Sequence, residues 1–576
     1  MDASNLPRST PTAVSRRAFL VSMAAVAAGL PLLAACAPTA PSAAPTSKPA
    51  AAAPTSAPAA AGAAPTSAPA AAAPAPASTP APAASTPAPA AQAKPQPKRG
   101  GTLRAATVGE YVNIDGHWYS PKAGLAVWLI YDTLTRYDDD LKVQPMLAES
   151  WEQSSDARQL TLKLRKGVTF HTGREFTSDD VLYNFNRVTD VKITAGIITN
   201  FIPPETTWEA PDKYTVVVKS KNPWPAVYDW LEVVGIQDKE TTDGPNSKTR
   251  AVGTGPFTFE EWVQGSHVAY GKNTNYWQTG RPYLDGIRVS IMRDQQSMVA
   301  QLEAGALDLA MTPGLPDFVR LRDDPRFQGV LFPNAPNFYM LQANSTLKPL
   351  DDKRVRQAFA YTIDRQRMRD TVLRGIGDVK ALPWAPGSPA YQPEKNSTYG
   401  FDLEKAKSLF QQAGVSNLEL ETVFNSGVAE QGAMVQIWQA DLQKIGVTMK
   451  LSGHDSPALL PMWHNKTYKG FYIASDAWTN MQPITFYTSS SVARISGNNG
   501  GYTNETYTQK VQALALEPDE GKRKQMLSDL NDFFLDEGIV YPIATNVEKL
   551  LATNKVKDIG HRRIPLFKFT ETWLDA

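Results

Sequence analysis

The sequence predicts an α/β protein with more than one lobe, and three observations carry that prediction. The chain has 576 residues, too many for one small core. Helix and strand signals alternate between Asp402 and Leu451. Asp402–Ala413 reads as a helix closed by Gly414, Val435–Ile445 as another, and Gly446–Leu451 as a strand; this is the spacing of an α/β lobe. Near the middle lies Asp351–Gly375, a single amphipathic helix in which Val355, Phe359 and Ile363 share one face. Asp351 or Asp352 is placed to cap its first turn, Gly375 suits the left-handed residue after its last, and Arg354, Arg365, Arg367 and Arg369 lie between its apolar positions.

The N-terminus is read as a targeting segment, outside fold reasoning. Ser15-Arg16-Arg17-Ala18-Phe19-Leu20 resembles a twin-arginine export signal, and the apolar run Leu20–Ala35 is short for a membrane span of about 20 residues. It ends in Leu33-Ala34-Ala35-Cys36, which resembles a lipobox and implies lipidation of Cys36. Cys36 is the 1 cysteine of the chain, so no intrachain disulfide or zinc knuckle forms. Residues 1–36 are thus expected to be a lipoprotein signal. Residues 37–99 are almost only Ala, Pro, Ser and Thr and are expected to form a disordered tether, because nothing in them offsets ordering entropy. Such a tether spans roughly 45 Å as a coil and up to about 190 Å as polyproline II. Its Ser/Thr-Pro composition also suits O-glycans.

Order is expected from Gly100-Gly101-Thr102-Leu103-Arg104-Ala105. Gln144-Pro145-Met146-Leu147-Ala148-Glu149-Ser150-Trp151 follows, and then Leu160, Leu162 and Leu164 alternate as in a half-buried strand. Leu164-Arg165-Lys166-Gly167-Val168-Thr169-Phe170-His171-Thr172-Gly173 leads to a helix start at Ser178-Asp179-Asp180, with Val181, Phe185 and Val188 on one face. His171 has no second histidine at metal-ligand spacing. Gly253-Thr254-Gly255-Pro256-Phe257 lacks the third glycine and helix start of a nucleotide loop. Asn273-Thr274-Asn275-Tyr276-Trp277 and Pro282-Tyr283-Leu284-Asp285 follow, then a strand over Ile287–Met292 and a short helix over Gln295–Gly305 with Met298, Val299 and Leu302 inward. Later come a helix over Lys522–Asp536 and the strand Val540–Ile543.

These blocks, with Asn337–Asn344 and Lys348–Asp352, resemble in order the family 5 extracellular solute-binding proteins, the peptide- and nickel-type receptors of ABC importers. The resemblance covers about residue 100 to the C-terminus. It implies the large, peptide-binding class of the type II periplasmic-binding-protein fold, two lobes on a hinge with a cleft between them. The domains expected are residues 100–341 as lobe I with an inserted subdomain, 342–544 as lobe II, and 545–576 as the return to lobe I.

In peptide-binding relatives an Asp four residues before the Pro of a D-P pair anchors the peptide ammonium. Here the corresponding loop is Ala474–Tyr487, the pair is Gln482-Pro483, and Thr479 holds the anchor position. A hydroxyl does not supply the ion pair that a desolvated ammonium needs. Either Asp476 substitutes or the ligand has no free amine there. Asp476, Trp478 and Thr479 are the candidate contacts in lobe II, and Trp118 and Tyr119 in lobe I.

The function implied is an extracytoplasmic binding lipoprotein. It would be monomeric and anchored by lipid at the outer face of the cell membrane. It would deliver a peptide-like or other small solute to permease transmembrane subunits served by ATPase subunits. A sensory receptor using the same cleft is the alternative. An exported hydrolase is disfavoured, since no H-E-x-x-H or G-x-S-x-G occurs. No cofactor or metal is expected: the 6 histidines are scattered, which also argues against an all-protein nickel site. A net charge of +1 gives no case for nucleic acid.

Overall fold

The computed structural model describes residues 96–111, 114–117, 128–194, 198–243, 250–332, 337–476, 482–562 and 566–575; within these ranges, the side chains of 194, 561, 562 and 566–568 are not described. The expected signal and tether, Cys36 included, fall outside these ranges up to residue 95. None of the helices among the described residues is long and apolar enough to cross a membrane.

Three principal sheets organise the chain. The first has seven strands, in the order Phe327–Phe332, Glu548–Thr553, Leu309–Ala310, Thr102–Val108, Gly286–Met292, His267–Lys272 and Phe257–Val263. Thr102–Val108 runs parallel to both Gly286–Met292 and Leu309–Ala310, with Leu103 opposite Ile287 and Ala105 opposite Val289. The second, an antiparallel sheet of four strands, spans Ala148–Gln153, Gln159–Leu164, Thr215–Lys219 and Thr207–Asp212. Leu160, Leu162 and Leu164 all point inward, as their alternation predicts, against Val181, Phe185 and Val188 of the helix Ser178–Val188. Thr177 and Asp180 close a reciprocal capping box at the start of that helix.

The third sheet has five strands, in the order Thr448–His454, Glu419–Asn425, Gly470–Asp476, Phe338–Ala343 and Tyr541–Thr545. Its core is aromatic. Phe359, Trp438 and Phe471 meet edge-on, with ring centroids 4.7 to 5.9 Å apart, a geometry that aligns ring edges with ring faces.

The chain leaves the seven-stranded sheet after Phe332 and enters the five-stranded sheet at Phe338. Phe338–Leu341, expected in lobe I, therefore lie in lobe II. They pair with Ile473–Asp476 on one side and with residues of Tyr541–Thr545 on the other. The return runs from Thr545 to Glu548, and the backbone N–H of Asn546 donates to the Asn337 carbonyl at 2.9 Å, tying the two connectors together. Tyr541–Thr545 is an edge strand of the five-stranded sheet in lobe II, and the strand Glu548–Thr553 re-enters the seven-stranded sheet of lobe I.

The central helix is two helices, Lys353–Tyr361 and Arg365–Val372. The break has one near and one distant partner. The Thr362 hydroxyl donates to the Phe359 carbonyl and accepts from the Trp438 indole, both at 2.7 Å. Asp364 then caps a new helix by accepting from the N–H of Arg367. Arg365, expected between apolar positions, is buried and donates to the carbonyls of Lys380, Pro542 and Tyr399 at 2.8 to 3.0 Å. It bolts the helix pair to the strand Tyr541–Thr545.

Candidate functional site

Two buried frames brace lobe I. In the first, Gly253 and Gly255 lie against the backbone of Leu129–Tyr131, where a Cβ at either would come within 2.3 to 2.7 Å of carbonyl groups. Glycine is required there by space. The Gly255 N–H donates to the Ile130 carbonyl at 2.8 Å, and its own carbonyl lies 3.0 Å from His171 Nε2 and accepts from Asn273 Nδ2 at 2.9 Å. His171 Nδ1 accepts from the Gly253 N–H at 3.4 Å. Both ring nitrogens are thus engaged by this loop, and burial pushes the imidazole pKa down to about 4, against the pull of the Gly255 carbonyl. Asp132 completes the frame, accepting from the Trp277 indole at 2.8 Å and the Thr254 hydroxyl at 3.2 Å. Four separated sequence blocks, around Asp132, His171, Thr254 and Trp277, therefore meet at one point and brace the lobe.

The second frame surrounds Ile114–His117. Asp115 accepts from both Arg187 Nη atoms at 2.7 and 3.0 Å and from Gln237 Nε2 at 2.8 Å. Burial would raise this carboxyl, but the Arg187 hydrogen bonds and charge outweigh it and hold the pKa near about 2. His117 sits between Arg187 Nη1, 2.9 Å from its Nδ1, and the Gly235 carbonyl, 3.1 Å from its Nε2. An Arg donor on Nδ1 leaves the proton on Nε2, so the ring is neutral, and burial drives its pKa down to about 4. The frame ends where the candidates Trp118 and Tyr119 begin; both lie outside the described residues.

In lobe II the expected loop Ala474–Tyr487 is shorter than its sequence suggests. Ala474–Asp476 finish a central strand, and Pro483–Ser489 form a helix. Asp476 is the last strand residue. It is buried, paired with Phe338, and accepts from the Ser490 hydroxyl at 3.2 Å. Trp478 and Thr479 lie outside the described residues. Of the five candidate contacts, Asp476 alone is among the described residues.

The lobes meet beyond this point. A groove of about 590 Å³ runs between them, lined by Lys142 and Tyr228 from lobe I and by Pro389, Gln482, Arg523 and Leu527 from lobe II. That volume lies within the range of small-solute sites. Next to it Asp229 of lobe I accepts from the Gln482 N–H at 3.1 Å and from the Thr485 hydroxyl, both of lobe II. Tyr137 donates to Asp229 through its hydroxyl at 2.8 Å and to Glu232 through its N–H at 2.7 Å. Asp229 and Glu232 are buried, and burial is the main cause that raises them to about 7 and about 8, against the donors that favour their charged forms. Sequence reasoning missed this pair. The available signal was two carboxylates three residues apart within the otherwise apolar run Ala226–Val234. Among the described residues no three His, Cys, Asp or Glu side chains group as a metal site.

Comparison with known proteins agrees with this architecture. Residues 142–497 match the model of the bacterial extracellular solute-binding proteins, family 5 (middle). The heme-binding protein A of Haemophilus influenzae is 31% identical over 350 residues, covering 55% of this chain and 63% of that protein. The oligopeptide-binding protein AppA of Bacillus subtilis is 26% identical over 382 residues, covering 62% of this chain and 69% of that protein. The crystal structure of AppA from Clostridium difficile shares the fold with a TM-score of 0.74 at 21% identity, covering 82% of this chain and 100% of that one. Two lobes on paired connectors, the braced signature blocks and the family match lead to one assignment: the chain belongs to the family 5 bacterial extracellular solute-binding proteins, the substrate-binding proteins of ABC importers.

Proposed function

We propose that this chain captures a small solute between its two lobes and hands it to the transmembrane subunits of an ABC importer, which its ATPase subunits power. The observation that carries the reading is the groove of about 590 Å³ between two separately cored lobes. Such lobes move as rigid bodies, and a solute favours the closed arrangement through contacts made there alone. The solute is peptide-like or another small molecule, and its candidate contacts are Asp476, Trp478 and Thr479 in lobe II and Trp118 and Tyr119 in lobe I; Asp476 does not itself line the groove. The chain works as a monomer outside the cytoplasmic membrane, held by lipid on Cys36 and reaching outward on the Ala/Pro-rich tether. The binding role calls for no chemical step.

The test is native mass spectrometry of the full chain before and after denaturation, with thermal shift against oligopeptides and heme, the ligands named for the two relatives above. A solute at about 100 times its Kd should add about 2.7 kcal/mol of stability. A released peptide points to Asp476 as the replacement ammonium anchor. A protein that carries nothing and is stabilised by neither series would overturn the reading.

A further inference from the structure

Among the described residues, hydrogen bonds that cross between the lobes away from the connectors gather at Asp229 and at Tyr137 beside it, whose hydroxyl also meets the Gln482 side chain. Gln482 N–H lies 3.2 Å from Asp229 Oδ1 and 3.1 Å from Oδ2, and the Thr485 hydroxyl donates to Oδ2. Each side of this contact is fixed within its own lobe. Asp229 rides on the helix Val227–Val233, whose Trp230 packs among Phe185, Trp224 and Trp208 with centroids 4.2, 5.5 and 5.8 Å away. Gln482 and Thr485 begin the helix Pro483–Ser489, whose Phe486 and Tyr487 pack on Trp384 at 5.3 and 5.6 Å. Neither half can follow the other by a local rotation, so movement of one lobe away from the other breaks the contact as a unit. Ala226, at the start of the first helix, packs against both cores.

We propose that Asp229 is a proton-dependent clasp: a positioning residue that holds the start of the lobe II helix, Gln482 to Thr485, against lobe I and couples closure of the cleft to uptake of one proton. The proposal rests on the capture role above and gives it a regulator.

The chemistry follows from the surroundings. With the lobes apart, Asp229 meets water and ionises in the ordinary carboxylate range. With the lobes together it is fully buried, and its charged form has only hydrogen bonds in exchange for hydration. The protonated acid loses little, since Thr485 can reverse its hydroxyl and accept from Oδ2–H. The charged and titratable groups around it are Tyr137 and Arg136 from the strand Thr135–Tyr137 and Glu232 from its own helix. The helix Pro483–Ser489 and the turn Thr199–Phe201 beside it bring no charged side chain. Glu232 takes its hydrogen bond from Tyr137, within lobe I, so none of its described hydrogen bonds is broken when the lobes part. The sign is then fixed. Asp229 has the higher pKa in the closed state, about 7, so closure is favoured as pH falls and is lost as pH rises through that value. The closed-to-open ratio should rise about thirtyfold between pH 8 and pH 5.5.

The experiment uses the full chain with Cys36→Ser and single cysteines in place of the exposed Val191 and Leu516. These carry a fluorophore pair for single-molecule energy transfer, and native mass spectrometry checks that no solute is bound. The unliganded wild type should close progressively from pH 8 to 5.5. Asp229→Asn, which resembles the protonated acid, should hold one closed fraction across that range. Thr485→Val should lower the closed fraction at every pH, and Glu232→Gln should keep the wild-type profile. A flat wild-type profile, a pH response that survives Asp229→Asn, or a response abolished by Glu232→Gln would overturn the assignment. Because no solute takes part, a failed search for the solute leaves this readout intact.

Discussion

Replacing Gly255 with alanine tests whether the signature blocks of lobe I are a structural brace. The backbone angle at Gly255 is open to any residue, so the cost is spatial. The new Cβ would sit 2.6 Å from the carbonyl carbon and oxygen of Ile130 and 2.7 Å from the Leu129 carbonyl oxygen, whereas carbon contacts are optimal at about 3.5–4.0 Å. All three obstructing atoms are backbone, and no side chain can swing aside. Overpacking of this kind costs about 1–3 kcal/mol. Separation of the two segments also strains the 2.8 Å bond from Gly255 N–H to Ile130 and the contacts of the Gly255 carbonyl with His171 and Asn273, each worth about 1 kcal/mol. The expected loss is about 3–5 kcal/mol, or roughly 10 °C for a lobe of this size. Urea and thermal unfolding of the full chain, followed by tryptophan fluorescence, read it directly. His171→Gln removes one strut without adding atoms, so its loss and that of Gly255→Ala should overlap in the double variant. A Gly255→Ala protein within about 0.5 kcal/mol of wild type, or strict additivity of the two, would refute the reasoning.

Arg365→Met should cost about 3 kcal/mol or more in urea unfolding, because the buried carbonyls of Lys380, Pro542 and Tyr399 lose their donor; an unchanged midpoint would show that the bolt carries no load. His117 should stay neutral down to about pH 4 in a nitrogen-15 ring titration. Its folded-state pKa is depressed, so the unfolded chain binds its proton first. His117 therefore withdraws stability as pH falls from about 6.5 towards 4, and a ring that titrates near 6.5 in the folded protein would contradict the Arg187 frame.

Period and capping signals reveal an element where backbone chemistry within a few residues decides it. The helix Leu403–Gln412, capped by Asp402, and the inward Leu160–Leu164 strand are of this kind. The central helix shows the limit. Val355, Phe359 and Ile363 continue one apolar face across Thr362–Asp364, yet the chain breaks there because Trp438, 76 residues away, claims the Thr362 hydroxyl. Asp364, which caps the second helix, sits inside that periodic run. The lobe boundary moved for a similar reason, since Phe338–Leu341 are apolar enough for either sheet and only strand pairing decides between them. The clasp was hidden because Asp229 and the lobe II residues it meets are more than 250 residues apart. A buried acid in an apolar run states that it has a partner and does not say where.

The strand Glu548–Thr553 lies inside the seven-stranded sheet, between Phe327–Phe332 and Leu309–Ala310. During synthesis the ribosome therefore releases all of lobe II before the strand that completes lobe I exists. Until then two sheet edges stand unpaired, and such edges template pairing with other chains. A chain halted shortly before residue 548 would present a finished second lobe on an open first one, a ready substrate for holdase chaperones and proteases. Quality control of this protein thus depends on Glu548–Thr553, a strand made only after all of lobe II.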